Sequence, residues 1–296
     1  IGALKNLPTN VHPMAWLRTA VSTMGLWDQE ADQDATDEAA NHRKAIKLTA
    51  KMGTLVAAFV RMREGLDPVA PKPEQSVAWN FLYMLKGAEP APEMVKVFDT
   101  CLVLHADHEL NCSAFSSRVV ASSLSDMHSA IVSGIGALKG PLHGGANTEV
   151  MRTLKEIGSE ENIIPWLEKA LAEKRKIMGF GHRVYKNGDP RAKILRSISK
   201  EMTEKSSEPQ WFKMSTILDQ EMEERKGLLP NVDFYSASVY YSMGIPLDIF
   251  TPIFATSRVS GWIAHILEQY SNNRIYRPRG EWNGKTGQKY TPIASR

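Results

Sequence analysis

Three short runs hold the ionisable side chains whose setting reads as chemistry. They are Gly-Pro-Leu-His-Gly-Gly-Ala-Asn from Gly140, Gly-Phe-Gly-His-Arg-Val-Tyr from Gly179, and Pro-Asn-Val-Asp-Phe-Tyr from Pro230. Each offers one proton-handling group, His143, His182 or Asp233, where glycine or an expected helix start lets a ligand approach. The second run continues to Asp189-Pro190-Arg191 and adds a carboxylate-binding cation. Two imidazoles, one carboxylate and spare arginines suffice to make a carbanion and steer it onto a polyanionic acceptor.

Each motif also has a plainer reading. Glycines beside His143 bring a ligand carbonyl within reach of the ring, yet glycines also simply make turns. The Gly-Lys-Ser/Thr ending of a phosphate loop is missing, and Gly179-Phe-Gly181 lacks the third glycine and the preceding strand of a dinucleotide fingerprint. Arg191 falls in the first turn of a helix capped by Asp189, where a cation opposes the helix dipole unless an anion sits beside it. A solvated surface arginine is the alternative. Asp233 near a helix start reads as a cap, or as a carboxylate kept ionised beside an apolar pocket to act as a base. Arg258 is embedded among Phe254, Val259 and Trp262, so its guanidinium needs a carboxylate partner, from a substrate or from the protein. Arg274, Arg277 and Arg279 form a basic cluster that could equally be a solvated tail. His105 and His108, three apart on an expected helix, face one side and invite a metal. There is no His-Glu-x-x-His spacing or cysteine cluster, so a three-ligand set is not reached and no metal is expected.

The elements that must position these groups are helical. Ala45 to Arg63 places Ile46, Met52, Leu55, Val56, Phe59 and Val60 near one broad face, and Glu93 to His105 repeats the pattern with Met94, Val97, Phe98, Cys101 and Leu102. Val119 to Lys139, rich in small residues, reads as a close-packed helix pair or a subunit interface. Pro68 to Pro73 and Gly87 to Pro92 read as loops. Asn147 is the expected N-cap of a helix from Thr148 to Ile157 closed by Gly158, Asp189 caps another with Pro190 in its first turn, and Thr251-Pro252 begins a third. Strand-like alternation is confined to a short hairpin suggested near Lys285 to Pro292. The sum is an all-α architecture.

Composition excludes several classes. The chain has 296 residues, 43% hydrophobic and 23% charged, enough to bury a large core. A formal charge of +3, evenly spread, is no nucleic-acid footprint and suits anionic small substrates instead. No apolar run approaches a membrane span. Cys101 and Cys112 cannot make a disulfide framework, so a cytoplasmic location is expected. Asn111-Cys112-Ser113 matches a glycosylation acceptor and is read as a chance match.

Taken together, the runs resemble the citrate synthase family over essentially the whole chain, from His12-Pro-Met to the C-terminal Arg-Pro-Arg. The likeness is most specific in His-Ala-Asp-His-Glu-Leu-Asn from His105, in the two histidine runs with Asp-Pro-Arg, and in Pro-Asn-Val-Asp-Phe-Tyr. It implies condensation of acetyl-CoA with oxaloacetate to citrate and CoA, a step of the tricarboxylic acid cycle, through citryl-CoA. By resemblance, His143 hydrogen-bonds the thioester carbonyl, His182 polarises the ketone and Asp233 removes a methyl proton. Arg191 and Arg258 bind oxaloacetate carboxylates, with His108 and Asn111 as further positions in that subsite. Arg277 is the arginine contributed across a homodimer, and Ile177, Met178, Gly179 and Lys186 form the coenzyme A contact region. No permanent cofactor is implied; the thioester is a co-substrate.

The resemblance further implies a two-domain multihelical fold. Residues 1–144 and 244–296 would make a large helical domain, with a small helical domain, 145–243, inserted in it. Relatives carry an additional N-terminal helical segment before His12-Pro-Met. The present chain, opening at Ile1, is therefore expected to be a truncated or proteolysed product or a fragment, and aggregation-prone. The nearest alternative is 2-methylcitrate synthase with propionyl-CoA, since one methyl is worth only ~1–3 kcal/mol of discrimination. Alternatives of another class are a metal-dependent helical hydrolase built on His105 and His108, and an inactive scaffold.

Overall fold

A computed structural model describes residues 1–296 as twelve α-helices with short 3-10 turns and no strand beyond one isolated Phe180–Pro230 bridge. The helices are α1 (Pro13–Gly25), α2 (Glu38–Arg63), α3 (Val77–Lys86), α4 (Pro92–His105), α5 (Cys112–Ala121) and α6 (Met127–Leu138). They continue with α7 (Ala146–Ile157), α8 (Ile163–Ala172), α9 (Pro190–Glu204), α10 (Gln210–Lys226), α11 (Val232–Ser242) and α12 (Phe250–Ser271). No helix is long and apolar enough to cross a membrane.

The fold is all-α, and α12 is its centre. Nearly every residue from Phe250 to Val259 is buried, because α12 is covered by α2, α4, α5 and α6. An element buried on all sides must be apolar all round, which is why Arg258 within it stands out. Phe81 and Phe98, stacked at 4.8 Å, fix α3 against α4. Each, fully buried, is worth roughly 1.5–3 kcal/mol. α7 and α9 pack on α11, and α10 packs on α8 and α9.

Most caps follow their local chemistry. Asp189 accepts the Arg191 N–H at 3.0 Å with Pro190 at the first helical position, and Asn111, Asp126 and Ser76 cap α5, α6 and α3 in the same way. Four expectations fail. α7 starts at Ala146 with Gly145 as N-cap, so Asn147 lies inside the helix, fully buried. Ile46 points outward at 59% exposure, because α2 presents its core face through Leu48, Met52, Leu55 and Phe59. Residues from Lys285 to Pro292 form no hairpin and run as an exposed, irregular tail. Finally, α4 ends at His105, so His108 lies beyond it and the helical spacing that suggested a shared metal face does not exist.

Candidate active site

A cavity of about 670 Å³ opens between the α4–α5 loop, the start of α7, the Lys176–Val184 loop and the N-terminus of α11. His108, Asn111, His143, His182, Arg191, Asp233 and Arg258 all line it. Residues 125 positions apart in sequence, from His108 to Asp233, thus share one space because loops converge at helix ends, where unpaired backbone groups and glycines leave room.

A two-strand zip aligns His182 with Asp233. The Gly181 N–H donates to Leu229 O at 2.8 Å, and the Asn231 N–H to Gly179 O at 2.9 Å. Asn231 is the N-cap of α11, accepting the Asp233 N–H at 3.0 Å, and its Nδ2 donates to Gly181 O. Asp233 is therefore not the cap, and its carboxylate is released into the cavity. Gly179, at φ 89°, is required by packing: a Cβ there would lie 2.6 Å from Val150 and 2.9 Å from Phe234.

Backbone donors fix the tautomers of both histidines. Nδ1 of His182 faces the N–H groups of Val184 at 3.0 Å and Tyr185 at 3.1 Å, so it must be the acceptor. The proton is then on Nε2, the nitrogen left for a ligand. His108 packs edge-on against this ring at 4.8 Å. For His143 the assignment is reversed. Its Nε2 lies 3.2 Å from the Ser113 N–H and 2.9 Å from Ser113 Oγ, so Nδ1 carries the proton. Burial lowers the pKa of both rings, that of His143 to about 4 with Arg258 nearby reinforcing it. At neutral pH both are uncharged hydrogen-bond donors.

Asp233 and the arginines set the field. Asp233 Oδ1 is shielded from solvent and has no hydrogen-bond partner. Burial raises the carboxyl to about 7, against the pull of Arg191 and Arg258. The expectation of a carboxylate held firmly ionised is thus corrected: the helix terminus cannot offset an unsolvated, unbonded oxygen. A group poised near 7 is also better matched to proton abstraction than an ordinary aspartate. Arg191 donates through Nε and Nη2 to Asp189, at 2.9 and 2.7 Å, leaving Nη1 uncommitted. Asp189 is buried; burial pulls its pKa up, but Arg191 and the Val232 N–H outweigh this and hold it below the usual range. Arg258, 1% exposed, donates from Nε to His105 O at 2.8 Å and lies over Phe254. No aspartate or glutamate pairs with it, and burial lowers its pKa to about 10. An anionic ligand would supply the missing partner.

Comparison with known proteins decides what such a cavity belongs to. Residues 1–279 match the family model described as citrate synthase, C-terminal domain. The chain belongs to the citrate synthase family. It is 57% identical over 287 residues to citrate synthase 2 of Bacillus subtilis, covering 97% of this chain and 77% of that protein. It is 51% identical to the citrate synthase of Haloferax volcanii, covering 96% and 76%. A 2-methylcitrate synthase of Corynebacterium glutamicum is also similar, at 42% identity over 100% of this chain and 78% of that one. Among solved structures, citrate synthase from Pyrobaculum aerophilum superposes with TM-score 0.90 at 42% identity, covering 100% and 76%. The ternary complex of Thermoplasma acidophilum citrate synthase with carboxymethyl coenzyme A and oxaloacetate gives TM-score 0.91 at 34% identity, covering 100% and 79%.

Seen against the family resemblance, the cavity gathers most of the expected residues. Ile177, Met178 and Gly179 line it as well, whereas Lys186 does not, although its charge reaches His182. Arg277 lies on the exposed tail and bonds only to Pro278 O, so the chain does not bring it to its own site. Residue-type reasoning missed Ser113, which holds His143 from 30 positions away, and Lys176 and Arg183, which add two cations to the rim. The clustering of Lys174, Arg175 and Lys176 before Gly179 was the available signal for that rim. His105 is buried, with Nδ1 bonded to Cys101 O at 2.7 Å, which ends the metal-hydrolase alternative as a geometric idea.

Proposed function

We propose that His143, His182 and Asp233 divide between them the condensation of acetyl-CoA with oxaloacetate to citrate and CoA. Asp233 removes a methyl proton while Nδ1–H of His143 stabilises the enol oxygen; neither suffices alone against so weak a carbon acid. The enol carbon attacks the ketone polarised by Nε2–H of His182. Arg191 and Arg258 hold the carboxylates of oxaloacetate, beside His108 and Asn111. Citryl-CoA is then hydrolysed. The observation that carries this reading is the pair of opposite tautomers, each presenting a neutral N–H to one cavity that also holds a carboxyl poised near neutrality.

Coenzyme A would lie along Ile177 to Gly179, with Lys176, Arg183 and Lys186 supplying charge near its phosphates. Residues 145–243 would act as a small domain closing on the rest, consistent with the backbone turn at Gly244, φ 70°. A homodimer in which Arg277 reaches the other site is supported by an apolar strip on α5, where Phe115 and Val119 are exposed and Tyr276 stacks on Phe115 at 5.9 Å. The setting would be the tricarboxylic acid cycle in the cytoplasm.

The test is thiol release with oxaloacetate. Acetyl-CoA should be preferred to propionyl-CoA in kcat/KM, and kcat/KM for acetyl-CoA should rise through neutrality. Asp233 must be ionised to act, so below its pKa the rate falls about tenfold per pH unit. His143, lowered to about 4 and so already neutral, adds no second limb. A flat profile between pH 5 and 8 would remove Asp233 as the base, and a preference for propionyl-CoA would favour 2-methylcitrate synthesis.

A further inference from the structure

The condensation leaves one reactive side chain of the cavity without a part. Cys112 is exposed and lines the same space as His143, Asp233 and Arg258, as the first residue of α5. It stands between two residues already placed: Asn111, which caps α5, and Ser113, whose N–H donates to Nε2 of His143 at 3.2 Å. The chain's other thiol, Cys101, is fully buried on α4, where burial pushes it up to about 12. The attacking species in disulfide exchange is the thiolate, so Cys101 is inert and one thiol alone is open to reagents.

What surrounds Cys112 points to a ligand that itself carries a thiol. Arg258 is buried, lines the cavity and has no carboxylate partner, and Oδ1 of Asp233 is buried with no hydrogen bond, so the cavity is built to be filled. Leu110 and Leu142, close in sequence to Cys112 and His143, line it while 58% and 86% exposed. Apolar side chains left in water at a cavity lip gain when an uncharged chain covers them. Lys176 and Arg183 add two cations to the lining. A polyanion with a long uncharged arm ending in sulfur meets all three features.

We propose that Cys112 forms a mixed disulfide with coenzyme A, which switches the enzyme off when its own thiol product becomes oxidised. The reagent is the symmetrical disulfide of coenzyme A. The Cys112 thiolate attacks one of its sulfurs, the new Sγ–S bond forms and the S–S bond of the reagent breaks. The second coenzyme A leaves as a thiolate and takes up the proton lost by Cys112. One disulfide replaces another without net oxidation, and a dithiol reverses the step. The captured coenzyme occupies the cavity that acetyl-CoA must enter. The inference rests on the proposed use of coenzyme A thioesters and adds a covalent state of the same cavity.

The test incubates the intact protein with coenzyme A disulfide and follows mass and thiol release together. The expected result is one coenzyme A per chain, mapped to Cys112, with turnover falling in proportion and returning on addition of dithiothreitol. At low salt the labelling rate should exceed that of uncharged 2-hydroxyethyl disulfide by at least about tenfold, because the lining cations concentrate a polyanion. Cys112→Ser should take no label and keep its turnover in the presence of the reagent. A label that persists in Cys112→Ser, labelled Cys112 with undiminished turnover, or a rate no greater than that of the uncharged disulfide would overturn the proposal. Labelling of Cys112 that saturates with coenzyme A disulfide, in a protein that releases no thiol from acetyl-CoA, would uphold the disulfide and overturn the condensation. Normal turnover with Cys112 left unlabelled would do the reverse.

Discussion

Replacing Asp233 by Asn should lower kcat by roughly 10²–10⁴-fold, the usual worth of a positioned general base, while making the folded protein more stable at pH 8. The two effects have one cause. Oδ1 of Asp233 is buried with no partner, and burial raises the carboxyl from 3.8 to about 7. Between those values the folded chain holds a proton that the unfolded chain has lost, so stability falls as pH rises through this window. Above it, the native state carries the full cost of an ionised, unbonded carboxylate. Asparagine has the same shape without the charge and is spared that cost, which should be worth at least about 1 kcal/mol at pH 8 and little at pH 4. Thermal melts at the two pH values, run beside thiol-release assays, read both consequences. A variant that loses activity and is also destabilised at pH 8 would show that Asp233 serves packing, not proton transfer.

Two impaired proteins should restore one another when assayed at oxaloacetate concentrations near the parental KM. Arg277 stands on an exposed tail, bonded only to Pro278 O, and does not line the cavity of its own chain. If it completes the neighbouring site, Arg277→Ala should raise KM for oxaloacetate about 10–100-fold, the value of a lost charge-assisted pair. Co-expressed with Asp233→Ala, it should recover activity. In a mixed two-fold dimer, one site would combine an intact Asp233 with an intact Arg277, and the other would lack both. Random pairing makes half the dimers mixed, so about a quarter of the parental sites return. Were Arg277 to serve its own chain, mixing would return nothing. The same outcome would follow if the protein were a monomer, and sedimentation of the parent separates the two cases.

What was legible beforehand was what short range determines. Asp189-Pro190 is a cap followed by a first-turn proline, and both signals act within two residues, so the start of α9 stands where expected. The enclosing helix α12 announces itself because a long run without charge except Arg258 has nowhere to go but inside. The elements that failed are those decided by distant neighbours. Asn147 has the right chemistry for a cap, but the chain already turns at Gly145 and carries Asn147 into the core. Ile46 fits a helical stripe, yet the packing of α2 against α3 and α12 leaves it in solvent.

The site divides along the same line. His143, His182 and Asp233 were identifiable because glycine and helix-start residues around them are local. That Asn231, not Asp233, caps α11 follows from the zip between Gly179–Gly181 and Leu229–Asn231, which no short window contains. The tautomers of the two rings likewise depend on backbone donors at quite different separations. His182 is set by its own next turn, whereas His143 is set by the backbone N–H of Ser113, 30 positions earlier in the chain. A composition-based reading sees an imidazole in each case, and only the fold says which nitrogen is offered.

A crystal structure of the protein with oxaloacetate and carboxymethyl coenzyme A would test the account most directly, since the carboxymethyl group mimics the planar enol. The account predicts one carboxymethyl oxygen on Nδ1 of His143, the other side of that group against Asp233, and the oxaloacetate ketone on Nε2 of His182. An analogue bound with its carboxymethyl group out of reach of either His143 or Asp233 would contradict it.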